Sequence, residues 1–322
     1  MAACPSTAYQ RPDKGILSYL PLVCVPYGEL IRLSKPTGVL NIYFPYLFGV
    51  LYAACRGPMS IQLISQRSAE LLIAAFVLRS LGCSWNDIID RNIDRQVSRS
   101  RHRPMARGAI SMPAALLFTG LQYFLWIAIL STTLPNHWHY SIPLMGLVLF
   151  YPFAKRITYH AQAVLGITLA FGVPLGSSVM GDDPLRMRHV DGARRAGLMS
   201  LYLSYVLWSV IHDTIYAQQD IRDDLKIGVR SMAVYYRHRV KTMLLVTSLL
   251  LFVLHIHTGM TLGAHIPYQV LTSVGSSAII AWMLWKVNLN DPDDCGWWFR
   301  NGSIVWGILV AGGLFTEAIC QS

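Results

Sequence analysis

Nine apolar stretches constrain this chain more than any other feature: about 39–55, 70–85, 114–134, 138–153, 162–181, 198–217, 242–262, 266–286 and 302–320. Most approach the ~20 residues that a helix needs to cross a ~30 Å hydrocarbon core. Alternating apolar and polar residues between dense turns, the mark of a membrane barrel, are absent from the sequence. The stretches predict an all-α, polytopic membrane protein of about nine transmembrane helices bundled around a central polar cavity. Composition agrees, because 53% of the 322 residues are apolar and 14% charged, against roughly 25% charged in soluble domains. The whole of 1–322 reads as one membrane domain, with a poorly structured N-terminal segment over 1–30.

Basic residues divide unevenly between the loops. With the N-terminus inside, 20 of the 27 Lys and Arg fall on the inner side, six on the outer side (Arg56, Arg67, Arg186, Arg188, Arg194, Arg195), and Arg79 is intramembrane. The positive-inside rule then places the N-terminus and the charge-rich loops in the cytosol. The net charge of +10 is accounted for without nucleic acid, and nothing in the sequence calls for an obligate protein partner. The six cysteines show no metal-ligand spacing and read as free thiols. Residues 1–30 lack a long apolar run with a cleavage site. Pro5, Pro12 and Asp13 also make them a poor amphipathic transit peptide.

The acids are concentrated. Seven of 17 occupy two short segments, Asp87 to Asp94 and Asp213 to Asp224, at the inner ends of the second and sixth stretches. Asp87, Asp90 and Asp94 stand at i, i+3 and i+7, with Asn86 on the neighbouring edge. Asp213, Tyr216, Asp220 and Asp224 follow one another at steps of three and four. Carboxylates crowded this way repel one another unless cations sit between them. An all-oxygen set beside a polar cavity suits Mg²⁺. Solvated loop acids paired with nearby arginines are the plainer alternative. Two clusters in helical register at the same membrane face argue for metal, since intramembrane acids are costly and default to function.

Cations surround both clusters. Arg99 and Arg103 follow the first, Lys226 and Arg230 the second, and Tyr151 and Lys155 stand one turn apart after the fourth stretch. Arg32 and Lys35 precede the first stretch. A polyanion held by Mg²⁺ needs such donors, because the Arg fork matches phosphate oxygens. Arg95, Arg101 and Arg107 read instead as interfacial anchors. Arg79, two turns deeper than Asn86, predicts an inward-facing pairing role.

Together, Asn86-Asp87-x-x-Asp90-x-x-x-Asp94, Asp220-x-x-x-Asp224 and Tyr151-x-x-x-Lys155 resemble the UbiA superfamily of membrane prenyltransferases. Arg32-x-x-Lys35-Pro36-x-Gly38, Arg79-x-x-Gly82-Cys83, Arg99-x-x-x-Arg103-Pro104 and Asp213-Thr214-Ile215-Tyr216 extend the match over most of the chain. The resemblance is closest to the 4-hydroxybenzoate polyprenyltransferase branch and its fungal members that farnesylate phenolic polyketides. It implies an Mg²⁺-dependent aromatic prenyltransferase acting on a prenyl diphosphate, with farnesyl diphosphate expected, and an aromatic acceptor. Asn86, Asp87, Asp90, Asp94, Asp213, Asp220 and Asp224 would be the metal ligands. Arg32, Lys35, Arg79, Arg99, Lys226 and Arg230 would bind diphosphate, and Lys155, Tyr151 and Arg103 would be catalytic. Ser34, Ala161 and Ala170 depart from the ubiquinone-type pattern. With the poor transit peptide, they favour a secondary-metabolic enzyme of the endoplasmic reticulum over a mitochondrial one. Ubiquinone-type 4-hydroxybenzoate prenylation is the nearest alternative. An ion-coupled transporter is the alternative of another class, but it would need broken helices in both halves, and only the fifth stretch, with Pro174, reads as interrupted.

Overall fold

The computed structural model describes residues 9–10, 12–57, 59–134, 138–183 and 192–321, and among these no strand occurs. The elements are α1 (Val25–Leu30), α2 (Leu40–Ala54), α3 (Ile61–Asp94), α4 (Met112–Thr133), α5 (Trp138–Ile157), α6 (Ala161–Ala170), α7 (Gly172–Val179), α8 (Gly192–Ala217), α9 (Ile221–Ile227), α10 (Met232–Tyr235), α11 (Val240–Leu262), α12 (Ile266–Tyr268), α13 (Ser276–Lys286) and α14 (Pro292–Cys320). Arg11, Arg186 and Arg188 of the charge argument, and Cys4, lie outside the described residues.

All nine apolar stretches are helical, but the expected count of nine spans is not reproduced. Six helical segments among the described residues are long and apolar enough to cross a membrane: Pro36–Ala54, Ile61–Asp94, Met112–Thr133, Ala161–Val179, Val240–Leu262 and Pro292–Cys320. The second stretch, short in the sequence, belongs to the 34-residue α3. Gln62, Gln66, Arg67 and Glu70 hide its first turns from a hydropathy reading, although Ser60 caps its start by accepting from Leu63 N–H. The eighth stretch passes through a π-helical segment, Gln269–Gly275.

The fifth stretch breaks where proline chemistry requires. Pro174 has no N–H, and its ring crowds the carbonyl of Ala170, four residues back. The helix is interrupted at Phe171, between α6 and α7. The resulting short α7 lies against α2 with almost no side chain between them. A Cβ on Gly49 would fall 2.0 Å from the Val173 carbonyl oxygen, and one on Gly176 2.1 Å from that of Tyr46. Backbones approach this closely where small residues recur every fourth position, here Gly172 and Gly176.

One apolar core runs through the bundle. Its centre is aromatic. Trp208 of α8 and Trp306 of α14 stack with centroids 4.4 Å apart, and Phe48 of α2 meets Trp306 edge-on at 5.7 Å. The outer face of α11 leaves Leu245, Leu249 and Val253 exposed, as a lipid-facing helix does.

The segment expected to be poorly structured departs from that expectation after residue 15. Ile16–Tyr19 forms a 3-10 turn and α1 follows, with Leu17, Val25 and Leu30 buried. Glu29 ties this segment to the loop after α3, accepting from Tyr9 Oη at 2.6 Å and pairing with Arg107 at 2.5 Å. Arg107, read as an anchor, thus closes an intramolecular contact.

Candidate active site

The end of α3 presents Asp87, Asp90 and Asp94 to three different cation sources. Arg32 lies 2.6 Å from Asp87 Oδ1, Arg103 spans Asp87 (3.2 Å) and Asp94 (3.0 Å), and Lys155 of α5 lies 3.3 Å from Asp90 Oδ2. The three carboxylates are almost fully buried, at 0%, 2% and 6% exposure. Such charges persist only when paired.

Arg32 reaches Asp87 from a strained backbone. It is the one non-glycine with positive φ (58°) among the described residues, a conformation that disfavours side chains. Arg79 braces that turn. Its guanidinium donates to the carbonyls of Ile31 and Arg32 at 3.4 Å and of Lys35 at 3.0 Å. Gly38 leaves room for it, since a Cβ there would fall 2.5 Å from Arg79 Nη2. The expected inward-facing pairing of Arg79 is therefore with backbone carbonyls rather than with an acid.

The loop after α3 straps the two acidic clusters together. Arg99 grips Asp220 through two parallel bonds, one of them Nε to Oδ1 at 2.9 Å. It also donates to Tyr216 Oη at 2.6 Å and lies over that ring. One residue earlier, Ser98 N–H donates to Asp223 at 2.9 Å, which holds that carboxyl below its usual range. Burial pushes the Asp224 carboxyl up to about 7, with Asp220 adding to the shift. Arg99 and Arg103 are raised as well, but by their partners rather than by burial. Burial alone would lower them, but Asp220 for Arg99, and Asp87 with Asp94 for Arg103, hold both above the ordinary guanidinium. Asp213 of α8 lies near enough to Lys155 to act on it electrostatically.

These groups surround a cavity of about 590 Å³. Its polar end is lined by seven cations, Arg32, Lys35, Arg79, Arg99, Arg103, Lys155 and Arg300, with Asn86, Asp87, Tyr151 and Tyr216. Its walls include Ile42, Tyr46, Leu78, Val148, Leu165 and Leu169. Burial brings the Lys35 ammonium down to about 8, helped by Arg32, Arg99, Arg103 and Arg300. Asp90, Asp94, Asp220 and Asp224 stand outside the lining, the first three behind their cation partners.

Two expected site residues lie elsewhere. Lys226 is largely exposed and pairs with Asp223, at 3.4 Å. Arg230 donates to the Ile157 carbonyl at 2.9 Å and lies over Tyr159, holding the end of α5. Both follow the second cluster in sequence, but neither lines the cavity. Arg300 and Gln219 line it as well, outside the motifs of the two acidic clusters. A lone Arg near the inner end of an apolar stretch was the available signal for Arg300.

The oxygen donors suit Mg²⁺. No three His, Cys, Asp or Glu side chains among the described residues converge into a ready-made cluster. Yet Asn86 Oδ1, Asp87 Oδ2 and Asp90 Oδ1 are buried and accept no hydrogen bond. Unsatisfied buried oxygens on adjacent turns are costly. They fit a hard cation that takes its other ligands from phosphate and water.

Residues 42–308 match the profile of the UbiA prenyltransferase family. The polyprenyl transferase ausN of Aspergillus calidoustus is 35% identical over 292 residues, 90% of this chain and 77% of that protein. The mitochondrial 4-hydroxybenzoate polyprenyltransferase of Schizosaccharomyces pombe is 32% identical over 296 residues, 92% of this chain and 80% of its own. Among solved structures, a UbiA homolog from Archaeoglobus fulgidus bound to GPP and Mg²⁺ superposes with a TM-score of 0.63 at 17% identity, covering 90% of this chain and 99% of that one. The transporter alternative falls with this finding: the chain is an integral membrane protein that belongs to the UbiA prenyltransferase family.

Proposed function

We propose that the protein transfers a farnesyl group from its diphosphate to a phenolic polyketide acceptor, in a Mg²⁺-dependent step of meroterpenoid biosynthesis. The observation that carries the reading is the cavity itself, cationic at one end and apolar along its walls. A diphosphate with a hydrocarbon tail has that same division. The fungal polyprenyl transferase among its relatives supports prenyl transfer.

Mg²⁺ held by Asn86, Asp87, Asp90 and Asp94, and by Asp213, Asp220 and Asp224, would neutralise the charge that develops on the departing diphosphate. This chain's cations do the rest. Arg99, Arg103 and Lys155 stabilise the leaving group through charge-assisted bonds. Arg32 and Lys35 bind its remaining oxygens, and Arg79 positions the turn that carries them. Tyr151, one turn from Lys155, has its ring 5.6 Å from the Lys155 ammonium and orients it. The apolar walls exclude water from the allylic cation left when the C–O bond breaks, so an electron-rich ring carbon of the acceptor attacks it and its ring proton passes to the released diphosphate. Each buried CH₂ of the tail contributes up to ~0.8 kcal/mol.

The N-terminal side and the 95–107 loop face the cytosol in this reading, and the membrane is the endoplasmic reticulum. The test is a product mass spectrum from expressing membranes given farnesyl diphosphate with an orsellinate-type phenol or with 4-hydroxybenzoate. A farnesylated phenol supports the proposal. Exclusive prenylation of 4-hydroxybenzoate would move the protein to ubiquinone-type chemistry, and diphosphate release without acceptor would indicate cyclisation.

A further inference from the structure

A second cavity, of about 470 Å³, opens beside the first between the ends of α9, α11 and α14. Arg222, Arg237, Arg239 and Lys241 line it, and no carboxylate does among the described residues. Arg222, Arg239 and Lys241 are exposed, and none of them forms an ion pair among the described residues. Cations gathered around one concavity raise its positive potential and attract an anion.

Two further observations locate that anion. The N-terminus of the 23-residue α11 points into the cavity through Val240, Lys241 and Thr242. Its N-cap is Arg239, with no side-chain cap, so its first N–H groups and the positive end of its dipole are open to a ligand. Beside it, Gln218 lines the same cavity and is only 7% exposed, yet its Nε2 amide has no hydrogen-bond acceptor. A buried amide left without a partner is costly. A phosphate oxygen would satisfy it.

The surroundings select an amphiphile. Lys241 continues at i+4 steps into Leu245 and Leu249, both exposed. On α13, which packs against α11, Trp282 and Trp285 are exposed just before the chain enters the cavity wall at Val287. Tryptophans at this level mark the lipid headgroup region. We propose that this cavity binds the phosphate-monoester headgroup of an anionic phospholipid from the leaflet on the active-site side, with its acyl chains along α11 and α13. Gln219 lines both cavities, so the lipid phosphate sits one side chain away from the diphosphate site.

The probe is phosphatidate. The full-length protein is reconstituted in phosphatidylcholine vesicles with and without phosphatidate, extracted gently, and its retained lipid is counted by native mass spectrometry. Wild type retains phosphatidate selectively. The double variant Arg239→Gln/Lys241→Gln, at exposed positions outside the donor cavity, retains it about ten-fold less or weaker still. Lys241→Arg keeps retention near wild type, and Lys14→Gln/Arg91→Gln, which removes two charges elsewhere, leaves it unchanged. Unaltered retention in the double variant, or an equal loss in the Lys14/Arg91 control, would overturn the site. Displacement of phosphatidate by millimolar inorganic phosphate would overturn the lipid and make free phosphate the ligand. Because the readout is retained lipid rather than turnover, the result stands apart from the choice of prenyl acceptor.

Discussion

Lys155 of α5 reaches across to Asp90 of α3, its Nζ 3.3 Å from Oδ2. The pair links the end of one helix to a metal-ligand candidate on another, and Asp90 is almost fully buried while Lys155 still lines the cavity. The same ammonium can therefore neutralise Asp90 and face a diphosphate.

Removing that ammonium should act on both folding and donor use. Lys155→Met leaves Asp90 with only Arg156, at 3.9 Å. It should destabilise the protein by about 3 kcal/mol, the low end for breaking a buried pair. Turnover should fall more with Lys155→Met than with Lys155→Arg, which keeps the charge. Tyr151→Phe should lose less than either Lys155→Met or Lys155→Ala. Kinetics taken separately against donor and acceptor, normalised to folded enzyme, check the assignment. A defect confined to the acceptor would remove Lys155 from the leaving-group site.

Asp220 and Arg99 test the metal. Asp220→Ala deletes one ligand candidate and frees the guanidinium that grips it. Prenyl transfer should be abolished while membrane insertion persists, and EDTA should reproduce the loss in wild type, reversed by Mg²⁺. Full activity in chelator would sink both clusters as a metal site.

The α2–α7 contact predicts an opposite phenotype. Gly176→Ala places a methyl 2.1 Å from the Tyr46 carbonyl oxygen. It should lower thermal stability by about 1–3 kcal/mol or more, as overpacking does. Gly146→Ala meets nothing within 4 Å and should be neutral or slightly stabilising in its helix. Melting of both variants in detergent decides it, and an unchanged Gly176→Ala would mean that the two helices are free to separate.

Much of the site was legible because helical spacing is a strong signal. Asp87 and Asp94, seven residues apart, do share a cation in Arg103. Asp90 turns to α5 instead, which depends on packing between helices that spacing along one helix does not report. The polar start of α3 and the π-helical segment Gln269–Gly275 carry no hydropathy mark. Nearness in sequence to the second cluster does not bring Lys226 and Arg230 into the cavity: Lys226 is exposed beside Asp223, and Arg230 holds the end of α5. The ring of carboxylate–cation pairs around the cavity, and the bracing of Arg32 by Arg79, form only once separate segments of the chain meet.

Lys35 provides a prediction in pH. Its ammonium is lowered to about 8, chiefly by burial and then by Arg32, Arg99, Arg103 and Arg300. Below pH 8 it is charged and adds to the cation cluster that receives the diphosphate. As pH rises through 8 it loses its proton, so donor binding must recruit one. The donor KM should then climb, by up to about ten-fold per pH unit. Folding runs the other way. The folded-state value lies below the unfolded one, so the unfolded chain holds more protons between about pH 8 and 10.5. This group's contribution to stability therefore improves as pH rises through that window. A donor KM and a melting temperature that rise together separate this effect from general alkaline unfolding, in which the melting temperature falls. Lys35→Arg, permanently charged, should flatten the KM profile over the same range at saturating acceptor and Mg²⁺. A wild-type donor KM that stays level from pH 7 to about 9.5 would show that Lys35 does not meet the diphosphate.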